Sequence, residues 1–182
     1  MLLKLSNTGF TLVESLVAIS ILSLSIAATF TAVQNSIQNS TYAKDEITAF
    51  YLTQEAMEFI KNIRDENALH SISGQSTNWL ASLSNVSSDP CYFGKTCVID
   101  SPLKTVTACS GGFGSCPNLK EDSGTGLFGY TSGGTWLTTN FKREIQFQQV
   151  ASDEISVIIK ISWTSRGIPK SFQVTETLFN RQ

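Results

Sequence analysis

Glycine and proline are both absent from 64 consecutive residues, Phe10 to Ser73. These residues interrupt helices most strongly, so their absence predicts one long helix. Charge is almost missing from the first part of this stretch: Glu14 is the only charged residue between Phe10 and Val33, and the next is Lys44. A bilayer span needs about 20 apolar residues. The sequence therefore predicts a membrane-spanning helix that continues beyond the membrane.

Basic residues are few, and the formal net charge is −2. A nucleic-acid surface needs clustered lysine and arginine, so we expect no nucleic-acid partner. Catalytic signatures are lacking too. The single histidine, His70, has no motif that marks a triad partner, and there is no phosphate-binding loop, dinucleotide turn or His-Glu metal pattern. We expect no catalytic residue, no cofactor and no enzymatic activity.

Acidic residues outside the N-terminal helix offer one possible metal site. Asp100, Glu121, Asp122 and Asp153 are expected in loops, where carboxylates can bind calcium. Their spacing fits no EF-hand loop, so we interpret them as solvated loop charges and predict no metal site.

Glu14 is the unusual residue of the apolar run. A carboxylate within a membrane span costs about 2.5–3.5 kcal/mol and is normally retained for a partner. It ends the hexapeptide GFTLVE, residues 9–14, which follows a short polar leader and opens the apolar run. In this context the hexapeptide resembles the processing site of type IV prepilins and pseudopilins.

The resemblance implies specific roles for three residues. A prepilin peptidase would cleave after Gly9, Phe10 would become the N-methylated first residue, and Glu14 would act in assembly. Implied partners are other pilin subunits, the peptidase, an inner-membrane assembly platform and the lipid bilayer. The implied location is a single pass in the cytoplasmic membrane, then a surface filament. The leader departs from the family in having one basic residue, Lys4, where many have more.

Two functional interpretations follow. The chain is a structural subunit of a type IV pilus or of a secretion or competence pseudopilus, and the segment 51–67 resembles minor pilins. Alternatively, it is an anchored extracellular binding module or enzyme that does not polymerise, held by an uncleaved anchor with Lys4 on its cytoplasmic side. A secretory signal would instead place a small-residue cleavage site after the apolar run. Both interpretations export the chain beyond about Val33.

The predicted organisation has three parts: a leader (1–9), a long helix (10–66), and an extracellular globular head (67–182) that includes the second half of the helix. Residues 10–33 would span the membrane and form the filament core, and residues 42–66 would be amphipathic. Small residues in the first half recur four apart, which favours packing against like helices. These pairs are Ser23 with Ala27 and Ala28 with Ala32.

The second half of the helix carries an apolar face that should pack on the head. Its members are Ala49, Leu52, Ala56, Phe59, Ile60 and Ile63. A second apolar group lies beside the polar face, where we expect half exposure and either a wider core stripe or contact with a neighbouring subunit. This group is Ile47, Phe50, Tyr51 and Met57.

The region 69–140 is rich in glycine and serine, and we expect it to consist mainly of loops. It holds the only cysteines, Cys91, Cys97, Cys109 and Cys116. An even number in an exported segment predicts two disulfides. Three connectivities are possible; we prefer Cys91 with Cys97 and Cys109 with Cys116, because those loops are short and contain glycine. Zinc is the rival, but the spacings differ from usual zinc knuckles.

Apolar and polar residues alternate after Trp136, which predicts three half-buried strands. Their apolar residues are Phe141, Ile145 and Phe147, then Ile155, Val157, Ile159, Ile161 and Trp163, then Phe172, Val174 and Leu178. In the first strand Lys142, Glu144 and Gln146 should face solvent. Short connections at 151–153 and 165–169 predict an antiparallel meander. The fold class is α+β, pilin-like: a long N-terminal helix packed on a C-terminal sheet of at least three strands, with a disulfide-stapled loop region between them.

Overall fold

The computed structural model describes Gly9 and residues 11–180. The predictions about residues 1–8 and Phe10 lie outside the described residues. The chain divides into two units, Met1–Lys44 and Asp45–Gln182. The described elements are one helix and eight strands: α1 (Leu12–Ile72), β1 (Thr96–Asp100), β2 (Thr105–Ala108), β3 (Lys120–Asp122), β4 (Phe128–Gly129), β5 (Trp136–Thr138), β6 (Lys142–Ala151), β7 (Glu154–Ser165) and β8 (Ile168–Phe179).

Helix α1 ends at Ile72, two residues before Gly74, the first glycine after the stretch without glycine or proline. Gly74 has φ +85°, its N–H donates to the Ser71 carbonyl, and the Gln75 N–H donates to the His70 carbonyl. This is a Schellman arrangement, which satisfies carbonyls left open at a helix C-terminus. The sequence predicted an end about six residues earlier, where the apolar face stops. The helix continues to Ile72 because nothing interrupts its backbone before the glycine.

The strands form two antiparallel sheets. The larger has the order β2-β1-β6-β7-β8, and the smaller has the order β4-β3-β5. The predicted meander of three strands is confirmed as β6, β7 and β8. Residues 69–140 consist mainly of loops, as predicted, and contain both disulfides; five short strands that were not predicted, β1 to β5, also lie there. These strands have two to five residues, too few for a clear alternating pattern, and all five residues of β1 are buried.

The hairpin between β7 and β8 is tighter than predicted. Its loop is Arg166-Gly167 alone, with φ +53° and +78°. Positive φ at both positions is typical of a type I′ turn, whose twist matches that of the flanking strands. Pro169 therefore lies within β8 rather than in the loop. An edge strand tolerates a proline because its outer side has no ladder hydrogen bonds to lose.

The core of the second unit lies between the C-terminal part of α1 and one face of the larger sheet. The predicted helix face is confirmed: Ala49, Leu52, Ala56 and Ile60 are buried, and Phe59 and Ile63 pack partly buried against them. The predicted apolar strand residues also face this core.

The structure settles or corrects the predicted environment of several side chains. In the second apolar group, Met57 is buried with Thr53 beside it, which agrees with the wider core stripe, whereas Ile47, Phe50 and Tyr51 are exposed. Glu144 was expected to face solvent, but it is 1% exposed. Asp100, Glu121 and Asp122 were expected in loops, but Asp100 ends β1 and the other two lie in β3. Asp153 does lie in a turn, between β6 and β7.

Candidate functional site

Glu14 and Thr11 form a reciprocal cap at the first turn of α1. The Thr11 N–H and Oγ1 both donate to Glu14 Oε2 over 2.9 Å, and the Glu14 N–H donates to Thr11 Oγ1 over 3.3 Å. This is a capping box, which satisfies N–H groups that an N-terminal helix turn leaves open. The sequence analysis missed the role of Thr11, although its Thr-x-x-Glu spacing is the usual signal.

Apolar side chains of the first half of α1 lie in solvent in the isolated chain. Leu12, Leu16, Leu24 and Phe30 are each more than half exposed, as are their apolar neighbours. This helix is the one described helix that is long and apolar enough to cross a membrane. A continuous apolar surface of this extent is expected to contact lipid or other protein.

Hydroxyl groups within this apolar half bond to the helix itself. Ser20, Ser25 and Thr31 each donate to the carbonyl four residues earlier, over 2.8–2.9 Å. Side chains bonded in this way leave no open donor facing hydrocarbon. These three hydroxyls are therefore compatible with a membrane environment. The four small residues predicted to mediate packing are exposed and accessible to another helix.

Gly9 is exposed, and a Cβ added to it would meet no atom within 4 Å. A larger residue would therefore fit at this position. Phe10 was predicted to become the first residue after cleavage and to be the site of methylation. It lies outside the described residues.

Comparison with known families adds the deciding observation. The model of the prokaryotic N-terminal methylation motif matches residues 4–30, which include the capping box and most of the apolar run. The chain carries the type IV prepilin signature. No curated protein and no solved structure matches the chain. The match covers the N-terminal part of this pilin-like protein and does not extend to the head.

Both predicted disulfides occur in the head of the pilin-like protein. Cys91 bonds to Cys97, and Cys109 bonds to Cys116. The first bond lies in the core, where both cysteines are fully buried. The second closes a glycine-rich loop, residues 109–116. With all four thiols paired, the zinc alternative loses its ligands; among the described residues there is no group of three or more His, Cys, Asp or Glu that could hold a metal.

Glu144 holds the second disulfide loop against the outer face of the sheet. Its Oε1 accepts the N–H groups of Gly114 over 2.7 Å and of Cys116 over 3.2 Å. Lys142 Nζ donates to the Gly114 carbonyl over 2.7 Å, and Lys160 Nζ lies 5.5 Å above the centre of the Phe113 ring. Charged residues of β6 and β7 thus bind the loop, and the loop covers this part of the sheet. The alternation of β6 predicted Glu144 on the solvent-facing side. Glu144 does lie on that side of the sheet, but the loop buries it.

Arg143 lies on the core face of β6 and is fully buried. Nη1 donates to the Leu52 carbonyl over 3.0 Å and lies 3.4 Å from Glu55 Oε2, while Nη2 donates to the Ile99 carbonyl over 2.6 Å. The Tyr130 hydroxyl donates to the Arg143 carbonyl. Charge-assisted hydrogen bonds of this kind compensate the cost of burial. The sequence analysis missed Arg143, although its position between Phe141 and Ile145 indicates the core face.

Asp100 and Asp122 each organise a turn of the head. Asp100 accepts the N–H groups of Leu103 and Tyr130, which joins β1 to the segment after β4. Hydrogen bonds from Thr135, Thr125 and Gly124 hold the pKa of Asp122 below its usual value. These acidic residues are occupied by backbone and hydroxyl donors, which is consistent with a structural role.

Proposed function

We propose that this protein is a subunit, of the minor type, of a type IV pilus or of a type II secretion or competence pseudopilus. In this proposal a prepilin peptidase cleaves after Gly9, Phe10 is N-methylated, and the subunit enters a filament through α1. The observation that supports it best is the match at residues 4–30, which coincides with the apolar first half of α1, where the large apolar side chains of residues 12–33 are each more than half exposed.

The proposed subunit changes location once. Before assembly, the apolar half of α1 would cross the cytoplasmic membrane in a single pass, and the disulfide-containing head would lie outside. After assembly, the same apolar surface would contact other pilin subunits in place of lipid. Small residues would allow such helices to approach closely, since packing rather than the hydrophobic effect drives association in lipid.

Glu14 would act in two ways in this scheme. Its Oε2 caps the first turn of its own helix, and its charge would attract the free amine that cleavage creates at Phe10 of a neighbouring subunit. The two roles need different properties of the side chain. Glutamine also serves in a capping box, whereas only a carboxylate supplies the charge.

Two matched variants distinguish these roles. Glu14→Gln keeps the size and the cap and removes the charge, whereas Thr11→Val removes the hydroxyl of the cap and keeps the charge. Each would be co-expressed with a complete assembly machinery. Membrane insertion, cleavage by intact mass, and the amount of subunit in sheared filaments would be measured.

The proposal predicts normal insertion and cleavage for both variants, poor incorporation of Glu14→Gln, and near-normal incorporation of Thr11→Val. Loss in both variants would show that incorporation needs the cap as well as the charge. Wild-type incorporation of Glu14→Gln would refute an assembly role for the charge. Absence of the wild-type protein from filaments would favour the anchored module that does not polymerise.

A further inference from the structure

The outer edge of β8 is open. β8 is the last strand of the larger sheet, and no described strand pairs with its outer side. It is 12 residues long, and its pairing with β7 continues from end to end without a bulge. Proteins usually protect such edges with charges, prolines or bulges, because an open edge can pair with another strand. In β8 the proline lies at the start, and residues 171–175 contain neither charge nor proline.

The turn between β7 and β8 decides which backbone groups point to this edge. Ser165 and Ile168 flank the two-residue loop and pair with each other, and in such a hairpin these residues exchange both hydrogen bonds. Hydrogen-bonded pairs recur at every second residue, so the even-numbered residues of β8 bond to β7. The Asn180 N–H, which donates to the Asp153 carbonyl, follows the same pattern. The odd-numbered residues in 171–177 therefore direct their N–H and C=O groups outwards.

The middle of β8 is complementary to itself when two copies lie antiparallel. The segment centred on Gln173 reads KSFQVTE: on each side of Gln173 stand an apolar residue, a hydroxyl residue and a charged residue, and the two charges have opposite sign. If the two Gln173 residues lie opposite each other, Lys170 of each copy lies opposite Glu176 of the other. Phe172 then lies opposite Val174. Opposite charges and aromatic with β-branched residues are favourable cross-strand pairs.

Neighbouring antiparallel registers lose these pairs. A register centred on Thr175 places Glu176 opposite an apolar residue, and a register centred on Ser171 does the same to Lys170. Only the register centred on Gln173 places both charged residues of β8 opposite a charge of the other sign. It also joins outward-directed backbone groups to each other, because Gln173 is one of the odd-numbered residues.

Aromatic side chains of α1 extend the apolar part of this edge. The ring centroids of Phe50 and Phe172 are 6.2 Å apart, and those of Phe50 and Tyr51 are 6.0 Å apart. Phe50 and Tyr51 nevertheless remain 45% and 64% exposed. Because Phe172 would lie opposite Val174 of a second copy, Phe50 would lie beside the new strand pair. Exposed apolar surface next to an open edge is typical of a protein contact.

Contacts between α1 and β8 give the relative direction of two paired chains. Phe50 contacts Phe172, and further along both elements Lys61 binds Glu176 over 2.9 Å. The part of α1 that packs on the head therefore runs in the same sense as β8. Antiparallel pairing of two β8 strands sets these two helix segments in opposite directions. If the apolar half of α1 lies in a membrane as proposed, the contact joins chains on two facing surfaces rather than neighbours in one membrane.

We infer that the head binds a second copy of this chain through an antiparallel β8–β8 pair centred on Gln173. The pair joins the two larger sheets into one continuous sheet. Both copies contribute the same groups, so the contact has two-fold symmetry. One strand pair is a small interface, so the complex is weak and forms where copies are concentrated. The contact does not require polymerisation through α1.

Introduced cysteines test the register in the processed full chain in detergent. All four native cysteines are paired, so an introduced thiol is the only free one. Gln173→Cys should give a disulfide-linked dimer under mild oxidation, because opposite residues lie about 5.5 Å apart. Ser171→Cys and Thr175→Cys should link when mixed and much less when each is alone. Thr107→Cys, exposed on β2 at the other edge of the sheet, is the control and should stay monomeric.

Sedimentation of the same preparations tests the hydrogen bonds and the charges. Gln173→Pro removes an outward N–H and no bond to β7, so it should weaken self-association roughly tenfold or more. Gln173→Ala keeps the N–H and should stay within about threefold of the wild type. Lys170→Glu, which does not depend on a proline being accepted in the strand, should also weaken the dimer. Lys104→Glu makes the same charge change in the exposed turn before β2 and should not.

The inference is overturned if Gln173→Cys gives no linked dimer, if Thr107→Cys links equally well, or if Ser171→Cys links to itself as well as to Thr175→Cys. It is also overturned if Lys170→Glu and a folded Gln173→Pro both associate as the wild type does. Linking between Thr107→Cys and Gln173→Cys would identify β2 of the second copy as the partner strand in place of β8. Filament incorporation is not measured here, so these outcomes leave the proposed function unaffected.

Discussion

Arg143 Nη1 lies 3.0 Å from the carbonyl oxygen of Leu52, so a buried cation ties the central strand of the larger sheet to α1. The same guanidinium reaches the Ile99 carbonyl on the neighbouring strand. Three segments far apart in sequence therefore meet at one side chain. The planar fork of arginine suits this task because its donors point in several fixed directions.

Arg143→Lys should lower the free energy of unfolding by about 1–3 kcal/mol, because one ammonium group cannot serve both carbonyls and leaves a buried acceptor open. Glu55→Gln is the matched control. The Glu55 side chain is 35% exposed, so we expect a loss below about 1 kcal/mol. Urea unfolding of the processed protein, followed by tryptophan fluorescence, would measure both. Equal losses would contradict the central role of the backbone contacts.

The processed protein should begin at Phe10 and carry a methylated amine. Intact mass of membrane-extracted protein from cells with an active prepilin peptidase would show it. Gly9→Val should retain the leader, and the structure offers no steric reason for a change in fold, since the added Cβ meets open space. Retention of the leader by the wild-type chain in such cells would exclude processing at Gly9.

The two disulfides should differ in their contribution to stability. Each closes a short loop, which corresponds to about 2–3 kcal/mol in the chain-entropy description. Cys91→Ala with Cys97→Ala should cost more than Cys109→Ala with Cys116→Ala, because both sulfurs of the first pair are fully buried and their packing is lost as well. Unreduced peptide maps would confirm the pairing, and urea unfolding would rank the variants. The reverse ranking would contradict this reasoning.

Alkaline pH should weaken the head through Tyr130. Burial raises the pKa of Tyr130 to about 12, an effect that the nearby Arg143 charge partly opposes. The folded state thus holds this proton at pH values where the unfolded chain has lost it. The resulting contribution is intact below the ordinary tyrosine pKa and is lost as pH rises towards 12, with a slope of at most about 1.4 kcal/mol per pH unit.

Tyr130→Phe should therefore flatten the fall in unfolding free energy above the ordinary tyrosine pKa. Tyr51→Phe, which changes an exposed tyrosine, should leave the fall as it is in the wild type. Unfolding curves collected across this pH range would compare the three proteins. An unchanged slope in Tyr130→Phe would show that other groups cause the alkaline loss.

Much of the architecture was predictable from local patterns. The breaker-free stretch indicates α1, and the repeat of apolar residues at Ala49, Leu52 and Ala56 indicates the face that packs on the sheet. Alternation along 141–178 indicates the three long strands. Short cysteine spacings favoured the disulfide pairing that the structure contains. Each of these properties depends on residues close together in sequence, where periodicity and chain length decide the outcome.

The tertiary structure alone decided the environment of single residues and the short strands. Arg143 is stable in the core because Leu52 and Ile99, 91 and 44 residues away, offer carbonyls. Glu144 is buried because a distant disulfide loop folds over it. Strands as short as β4 exist only because a partner strand pairs with them. The sequence by itself determined the helix, the long strands and the prepilin signature, whereas these long-range pairings required the folded chain, because no local pattern records which distant group will satisfy a buried charge.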